Sequence, residues 1–175
     1  MITASQRARI KRILAELGIP PALPRARSLT PFPEAATLVC VGPGADGRDK
    51  FLARPAARAW RAMRRRAARD AVTLELVSGF RSYEFQRTLL RNKLAKGMAL
   101  ADVLRVNAPP GYSEHHTGAA VDIGTPGCPP LDEAFESTDA FRWLSRNATR
   151  CGFTLSFPRD NPQGYVYEPW HWRWR

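Results

Sequence analysis

Three separate stretches of the chain hold side chains that together could bind a metal ion and hydrolyse an amide bond. They are Ser78–Ser82 (SGFRS), Ser113–Asp122 (SEHHTGAAVD) and Glu168–His171 (EPWH). A hydrolytic zinc site needs three protein ligands, a general base and a cation near the negative charge that develops during attack. The stretches offer all of these groups, and they contain the three histidines of the chain. The pattern therefore predicts a metal-dependent hydrolytic site.

The predicted metal ligands are His115, Asp122 and His171. Gly118 lies between the first two and permits a tight turn, which would let Asp122 project from the strand that follows. His171 is the obvious third ligand, and three protein ligands leave a coordination position for water. The same set would accept zinc or another divalent ion.

Glu168 and Arg81 are the predicted catalytic side chains. Unless Glu168 itself binds the metal, its carboxylate can take the proton of the attacking water and pass it to the leaving amine. Arg81 follows a predicted strand at a turn, where its guanidinium can hold a tetrahedral oxyanion or a substrate carboxylate. Each residue alone would more often be a surface charge or an ion-pair partner. Their joint occurrence with the predicted ligands favours catalysis.

Helices and strands occur in blocks along the chain, which predicts a single α+β domain with an antiparallel sheet. Apolar residues at helical spacing predict four helices, over residues 4–17, 54–69, 83–96 and 138–151. Apolar and β-branched runs predict four strands, over residues 72–77, 119–123, 153–157 and 165–167. Five prolines between residues 19 and 33 predict an extended connection after the first helix.

The chain is strongly basic, because 27 Lys and Arg against 16 Asp and Glu give a net charge of +11. This charge favours anionic partners such as nucleic acid, an anionic lipid surface or an acidic cell-wall polymer. After the first turn of the predicted helix 54–69 there are six arginines, namely Arg58, Arg61, Arg64, Arg65, Arg66 and Arg69. They predict either a solvated outer face or a binding surface for an anionic cell-wall polymer. The sequence contains no recognisable nucleic-acid module.

The sequence contains no apolar run of membrane-spanning length. Its first 30 residues lack the continuous apolar core of a signal peptide, so we expect none in this chain. The sequence would not reveal a removed leader, a phage lysis route or a dedicated secretion system.

Cys40, Cys128 and Cys151 form no C-x-x-C pair, which argues against zinc ligation by cysteine. Cys128 and Cys151 could pair as a disulfide or stay buried thiols.

The three stretches resemble the VanY-type zinc D-alanyl-D-alanine carboxypeptidases, which group with phage L-alanyl-D-glutamate endopeptidases. The family pattern S-x-H-x-x-G-x-A-x-D is met in full from Ser113 to Asp122. The pattern E-x-W-H is met from Glu168 to His171, and the SGFRS stretch is followed by Gln86 on the next predicted helix.

The resemblance implies a small domain with an open cleft in which the three predicted ligands bind zinc. It implies that Glu168 is the general base and that Arg81 polarises the scissile carbonyl. Ser78, Gln86 and Ser113 would contact the substrate.

The resemblance covers the chain from residue 72 to its end. It predicts a zinc peptidase domain over residues 51–175, preceded by a helical and proline-rich extension over residues 1–50. His116 stands where close relatives usually carry glutamine, and we expect its side chain to line the cleft rather than to bind the metal.

The activity implied by the resemblance is that of a zinc-dependent D,D-carboxypeptidase. Such an enzyme removes the terminal D-alanine of peptidoglycan stem peptides, so we expect the cell envelope as its location. One alternative is a peptidoglycan endopeptidase that cuts within the stem peptide or the cross-bridge, as phage lysins do. A second is a basic polymer-binding protein with a non-catalytic metal site, whose binding would not depend on Glu168.

Overall fold

Six α-helices and two antiparallel sheets form the fold in the computed structural model, which describes residues 2–175. The helices are α1 (Ala4–Glu16), α2 (Leu23–Ala26), α3 (Arg54–Arg69), α4 (Tyr83–Ala95), α5 (Leu100–Val106) and α6 (Asp139–Asn147). The strands are β1 (Leu38–Pro43), β2 (Asp49–Ala53), β3 (Glu75–Ser78), β4 (Ala120–Gly124), β5 (Phe153–Leu155) and β6 (His171–Trp174). The predicted α+β class with an antiparallel sheet is confirmed.

The four-stranded sheet, with the order β3-β4-β6-β5, positions most of the predicted site. All of its neighbouring strands are antiparallel. Side chains alternate along β4, so that Val121 and Ile123 enter the hydrophobic core while Asp122 lines a cleft on the opposite face. One face of the sheet therefore anchors the domain, and the other forms the floor of the cleft.

Helix α3 covers the core face of this sheet. Trp60, Met63 and Ala67 of the helix are fully buried and belong to the same cluster as Val121 and Trp172. The arginines of α3 are exposed on its other side. The arginine-rich face therefore points away from the cleft.

Helix α1 packs against α4 and α5 in a second hydrophobic cluster. Ile10 and Ile13 of α1 are buried there with Tyr83 and Leu90 of α4 and with Val103 of α5. The opposite side of α4 lines the cleft. Because burying apolar surface is the main stabilising contribution to folding, α1 helps to hold one wall of the cleft in place.

The hairpin of β1 and β2 lies across the predicted boundary between the N-terminal extension (residues 1–50) and the peptidase domain (residues 51–175). Its register runs from Leu38 opposite Ala53 to Pro43 opposite Asp49. Residue 50 lies within β2, and the segment before it contributes to both the hairpin and the second cluster. The division at residue 50 thus stays a prediction about the sequence.

The strand predicted over residues 165–167 is wrong, because these residues form a loop. The N–H of Tyr165 donates to Oδ1 of Asn161 at 3.1 Å, and the N–H of Val166 donates to the carbonyl of Arg105 at 3.1 Å. The backbone of the segment is thus held by loop contacts instead of by a neighbouring strand. The last strand is β6, which carries the predicted ligand His171.

Other boundaries also differ from the prediction. The helix predicted over 138–151 ends at Asn147 and continues as a 3-10 turn over Ala148–Cys151. Helix α5 and the β1–β2 hairpin were not predicted, and the proline-rich connection contains the short helix α2.

All three cysteines are free, so no disulfide joins Cys128 to Cys151. Within residues 2–175, no helix is both long and apolar enough to cross a bilayer.

Gly118→Ala is expected to destabilise the protein by about 2–5 kcal/mol, because it combines two costs. Gly118 has a φ of +65°, and a Cβ there would lie 2.7 Å from the backbone nitrogen of Ala53. That nitrogen donates to the Gly118 carbonyl at 2.9 Å, so the hydrogen bond between the turn and β2 would be strained. Thermal unfolding of the purified variant measures the loss.

Gly97→Ala is the matched control for this prediction. Gly97 has a φ of +83° with no atom within 4 Å of an added Cβ, so only the backbone cost of about 1–2 kcal/mol applies. Equal losses in the two variants would show that close packing at Gly118 contributes nothing.

Candidate active site and metal centre

A row of three side chains crosses the cleft face of the sheet. Asp122 of β4 pairs with Ser78 of β3 on one side and with His171 of β6 on the other. The pairing with Ser78 depends on a bulge between Leu76 and Ser78, without which Val77 would lie opposite Asp122. The bulge therefore brings a hydroxyl, instead of an apolar side chain, beside the aspartate.

His115 reaches Asp122 from a 3-10 turn. This turn, Glu114–Thr117, ends at Gly118, whose left-handed conformation leads the chain into β4. Nδ1 of His115 lies 2.7 Å from the carbonyl oxygen of Gly79, and since a carbonyl can only accept, Nδ1 carries the proton. Nε2 is left with a lone pair and lies 3.2 Å from Oδ2 of Asp122.

The three predicted ligands converge, and their chemistry fits a divalent metal. One donor atom from each of His115, Asp122 and His171 lies within 4.8 Å of the others, and all three residues are buried. Ligands about 2.0 Å from a tetrahedral zinc ion lie about 3.3 Å apart. Nε2 of His115 lies 3.2 Å from Oδ2 of Asp122, and Nδ1 of His171 lies 3.0 Å from Oδ1 of the same carboxylate, so both rings are within ligand-sharing distance of it. Two imidazoles and a carboxylate also match the donor types of catalytic zinc sites.

The Arg81 guanidinium supplies positive charge to this cluster. Its Nη2 lies 2.5 Å from Oδ2 of Asp122 and 2.8 Å from Nε2 of His115. Its Nε donates to the hydroxyl of Ser78 at 3.0 Å. Because Nη2 contacts atoms of two candidate ligands, a divalent metal held by these residues would compete with the guanidinium for them. Ser78, predicted to contact substrate, here orients the arginine.

Glu168 lies beside the ligands at the end of the loop that precedes β6. Its Oε2 is 3.7 Å from Nδ1 of His171. Burial, reinforced by the charge of Asp122, raises the pKa of Glu168 to about 7. A carboxyl group with a pKa near neutrality is suited to accept a proton and return it. A divalent cation nearby would lower this pKa by stabilising the carboxylate.

The two imidazoles differ in charge. Burial and the charge of Arg81 lower the pKa of His115 to about 4, so this ring is neutral at pH 7. Burial also opposes charge on His171, but hydrogen bonds to Asp122 and Glu114 raise its pKa to about 10. Burial opposes ionisation of Asp122 as well, yet its contacts with His115 and Arg81 hold the pKa of this carboxyl well below its usual value. A metal that binds Nδ1 of His171 therefore displaces a proton.

A cleft of about 500 Å³ opens above these groups, and its lining includes Gln86, Lys93 and Ser113. The side chain of Gln86 is only 1% exposed. Its Nε2 donates to the carbonyl of Ala108 at 2.9 Å, whereas Oε1 has no partner among residues 2–175. Because a buried polar atom without a partner is costly, Oε1 is available to accept a hydrogen bond from a ligand in the cleft.

The expectation that His116 lines the cleft is wrong. The residue is fully buried, and its ring packs edge-on against Tyr83. Nδ1 lies 2.6 Å from the carbonyl oxygen of Arg81, and Nε2 accepts from the N–H of Gly111 at 3.0 Å. Burial lowers the pKa of His116 to about 4, so the neutral ring makes both contacts at pH 7. It fixes the backbone of Arg81 from behind the cleft.

His116→Ala is expected to destabilise the protein by about 2–4 kcal/mol, since it leaves two buried backbone groups without partners. For a chain of this size, the melting temperature would fall by about 4–16 °C. His116→Gln is the matched variant, because a carboxamide offers one donor and one acceptor, and it should lose less than half as much. Thermal unfolding of both variants checks the prediction, which equal losses would contradict.

Glu114 is a part of the site that sequence reasoning did not single out. Its carboxylate contacts His171, Ser156 and Arg173. Burial opposes its ionisation, but the hydrogen bonds from His171 and Ser156 lower the pKa of Glu114 to about 2. The only signal in the sequence was an acidic residue directly before His115, at a position that the family pattern leaves open.

Comparison with known proteins connects this site to a family. The family model for VanY, D-alanyl-D-alanine carboxypeptidase, matches residues 49–175. The protein YodJ of Bacillus subtilis (strain 168) is 36% identical over 131 residues, which cover 73% of this chain and 47% of that protein. A D-alanyl-D-alanine carboxypeptidase of Enterococcus faecalis (strain ATCC 700802 / V583) is 33% identical over 118 residues, covering 62% of this chain and 42% of that protein. The chain thus spans less than half the length of these relatives.

Solved structures share the fold. The LdcB LD-carboxypeptidase gives a TM-score of 0.72 at 33% identity, over 81% of this chain and 69% of that one. VanYB in complex with D-alanine-D-alanine gives a TM-score of 0.65 at 28% identity, over 83% of this chain and 81% of that one. A VanY D,D-pentapeptidase variant in complex with Zn(II) gives a TM-score of 0.64 at 28% identity, over 83% of each chain.

These matches agree with the geometry. Zinc is the metal in the D,D-pentapeptidase structure, and the His-Asp-His set has the donor types of a zinc site. The family model covers the three site stretches and well over half of the chain. The resemblance seen in the sequence is confirmed, and the chain belongs to the VanY family of D-alanyl-D-alanine carboxypeptidases.

Proposed function

We propose that this protein is a zinc-dependent D,D-carboxypeptidase that hydrolyses the terminal D-Ala-D-Ala bond of peptidoglycan stem peptides in the cell envelope. The observation that supports this most strongly is the arrangement on the cleft floor. Three metal-ligating side chains converge there, with Glu168 on one side and Arg81 on the other. A site that only stabilised the fold would need neither of these two residues.

The proposed mechanism assigns one task to each side chain. Zinc held by His115, Asp122 and His171 supplies Lewis-acid activation of a water molecule. Glu168 accepts the proton of the attacking water and transfers it to the leaving amine of D-alanine. Arg81 donates hydrogen bonds to the oxyanion that forms from the scissile carbonyl.

Recognition of the substrate is assigned to the walls of the cleft. Gln86 offers an unpaired acceptor, Oε1, to an amide N–H of the peptide. Ser113 lines the cleft near the ligands, and Lys93 adds a cation on the α4 wall. A carboxypeptidase has to bind a free terminal carboxylate, and charge-assisted hydrogen bonds from cationic side chains are well suited to this task.

The test is an assay of the purified, zinc-loaded protein on three muropeptides: a pentapeptide, a tetrapeptide and a cross-linked dimer. Release of D-alanine from the pentapeptide, with formation of tetrapeptide, supports the proposal. Cleavage of the cross-link or within the stem peptide would instead identify the endopeptidase alternative. Failure to cleave any of the three would contradict a peptidase function and favour the polymer-binding alternative.

An L,D-carboxypeptidase is a second candidate, because the match to the LdcB LD-carboxypeptidase has the highest TM-score and identity of the three structures compared. Such an enzyme would remove the last D-alanine of the tetrapeptide and leave a tripeptide. The same assay distinguishes the two carboxypeptidase activities, since the L,D enzyme releases D-alanine from the tetrapeptide and the D,D enzyme releases it from the pentapeptide.

Binding of an anionic cell-wall polymer stays a prediction that rests on charge alone. The exposed arginines of α3 lie on the side of the sheet away from the cleft. A polymer held there would leave the cleft free for substrate. Salt-dependent binding to the isolated wall polymer, measured against a variant with these arginines changed to glutamine, would test it.

A further inference from the structure

Glu114 makes three hydrogen bonds from a largely buried position in the cleft lining, on the Nε2 side of His171. Its Oε2 lies 3.0 Å from Nε2 of His171 and accepts from the hydroxyl of Ser156 at 2.6 Å. Its Oε1 accepts from Nη1 of Arg173 at 3.0 Å. The residue is 9% exposed. Two of these partners are in β6 and the third directly follows β5, so the carboxylate is fixed in position.

The contact with Glu114 determines which nitrogen of His171 faces the other ligands. Both oxygens of Glu114 act as acceptors, Oε1 from Arg173 and Oε2 from Ser156, so the contact at 3.0 Å is made by Nε2 of His171 as the donor. The lone pair available to a metal is then on Nδ1, which lies 3.0 Å from Oδ1 of Asp122. His115 uses the opposite arrangement, because its Nδ1 donates to a backbone carbonyl and its Nε2 faces the aspartate.

The two glutamates near His171 therefore occupy different sides of the ring. Oε2 of Glu168 lies 3.7 Å from Nδ1, the nitrogen that faces the ligands. Glu114 contacts Nε2, which points away from them. A proton held between Glu114 and Nε2 is on the other ring nitrogen from the one that faces the ligands, so the two carboxylates are assigned different tasks.

We infer that Glu114 is a positioning residue that fixes the tautomer and the ring orientation of His171 for metal binding. The inference rests on the proposed function only in that the site binds zinc. A carboxylate on the far nitrogen of a histidine ligand makes the ligand more basic, and losing such a partner typically lowers metal affinity about 10–100-fold. Hydrogen bonds from Ser156 and Arg173 fix the Glu114 carboxylate, which in turn orients the imidazole of His171.

The first experiment uses the unaltered protein. Long-range 1H–15N NMR spectra of the zinc-loaded chain report which nitrogen of each histidine ring binds metal, and three histidines give a simple spectrum. We expect His171 to be metallated at Nδ1 and protonated at Nε2, with His115 in the opposite form. Metallation of His171 at Nε2 would overturn the inference.

The second experiment measures zinc affinity by competition with a chromophoric chelator. Glu114→Leu removes the acceptor and should weaken zinc binding about 10–100-fold. Glu114→Gln keeps an acceptor but loses the charge, so its zinc affinity should lie between that of Glu114→Leu and that of the parent protein. Glu133→Gln, at a side chain that is 58% exposed, is the matched control and should leave the affinity unchanged.

Melting temperatures of the metal-free variants show whether each one folds. If Glu114→Leu does not fold, the comparison rests on Glu114→Gln. A folded Glu114 variant with the zinc affinity of the parent protein contradicts the inference. These measurements need no peptide hydrolysis, so failure of the carboxypeptidase assay with normal zinc binding would refute the proposed function without touching the role of Glu114.

Discussion

Glu168→Gln is expected to reduce turnover of the preferred muropeptide about 10²–10⁴-fold while zinc remains bound. Glutamine has nearly the same shape as glutamate but cannot accept a proton from the attacking water. The side chain lies 3.7 Å from Nδ1 of His171 and is not among the three converging ligands, so its loss should leave the metal in place. Steady-state kinetics and metal analysis on the same preparation check both halves of the prediction.

Glu133→Gln serves as the control for this experiment, since it makes the same chemical change at an exposed side chain and should keep full turnover. If Glu168→Gln retained the parent rate, the general base would have to be another group. If it lost zinc together with activity, Glu168 would be a ligand instead of a base. The variant thus distinguishes the two roles that the sequence left open for this residue.

The convergence of His115, Asp122 and His171 was predictable from the sequence because the residue types are rare and their spacing is distinctive. Gly118 marked a tight turn between His115 and Asp122, and the structure has a left-handed turn there. The run of apolar and β-branched residues around Val121 predicted a buried strand, which the structure has as β4. These are local signals, and local signals do not depend on knowing the partner strands.

The features that were not predicted depend on long-range pairing. The bulge in β3 that places Ser78 opposite Asp122 cannot be detected without knowing the register. The role of Glu114 depends on Ser156 and Arg173, which are 42 and 59 residues away along the chain. His116 was expected to line the cleft because it follows the predicted ligand His115 at a position where close relatives usually carry glutamine, yet the 3-10 turn directs its ring inward.

The segment before residue 50 is a further long-range contribution to the site. Glu34 accepts from the backbone N–H of Tyr83 at the start of α4 and from Arg9 of α1. The N–H of Ala35 donates to the carbonyl of His116 at 2.8 Å. Because α4 carries Gln86, the N-terminal segment stabilises one wall of the cleft even though it lacks every family motif.

Asp122→Asn is expected to abolish high-affinity zinc binding and peptide hydrolysis together. The carboxylate is 1% exposed and contacts His115, His171 and Arg81. An amide oxygen of the same size is a much weaker zinc ligand, so the loss in affinity should exceed the 10–100-fold typical of a residue that only supports a ligand. Chelator competition and metal analysis measure it, and stoichiometric zinc at the parent affinity would contradict the proposed metal centre.

The same substitution should also destabilise the metal-free protein. Removing one partner of a buried ion pair leaves the other charge uncompensated and costs about 3–5 kcal/mol. The melting temperature would then fall by about 6–20 °C for a chain of this length. Asp102→Asn, at an exposed position on α5, is the matched control and should change neither property. Added zinc should raise the melting temperature of the parent protein and of Asp102→Asn but not of Asp122→Asn, since only a metal that binds the native state stabilises it.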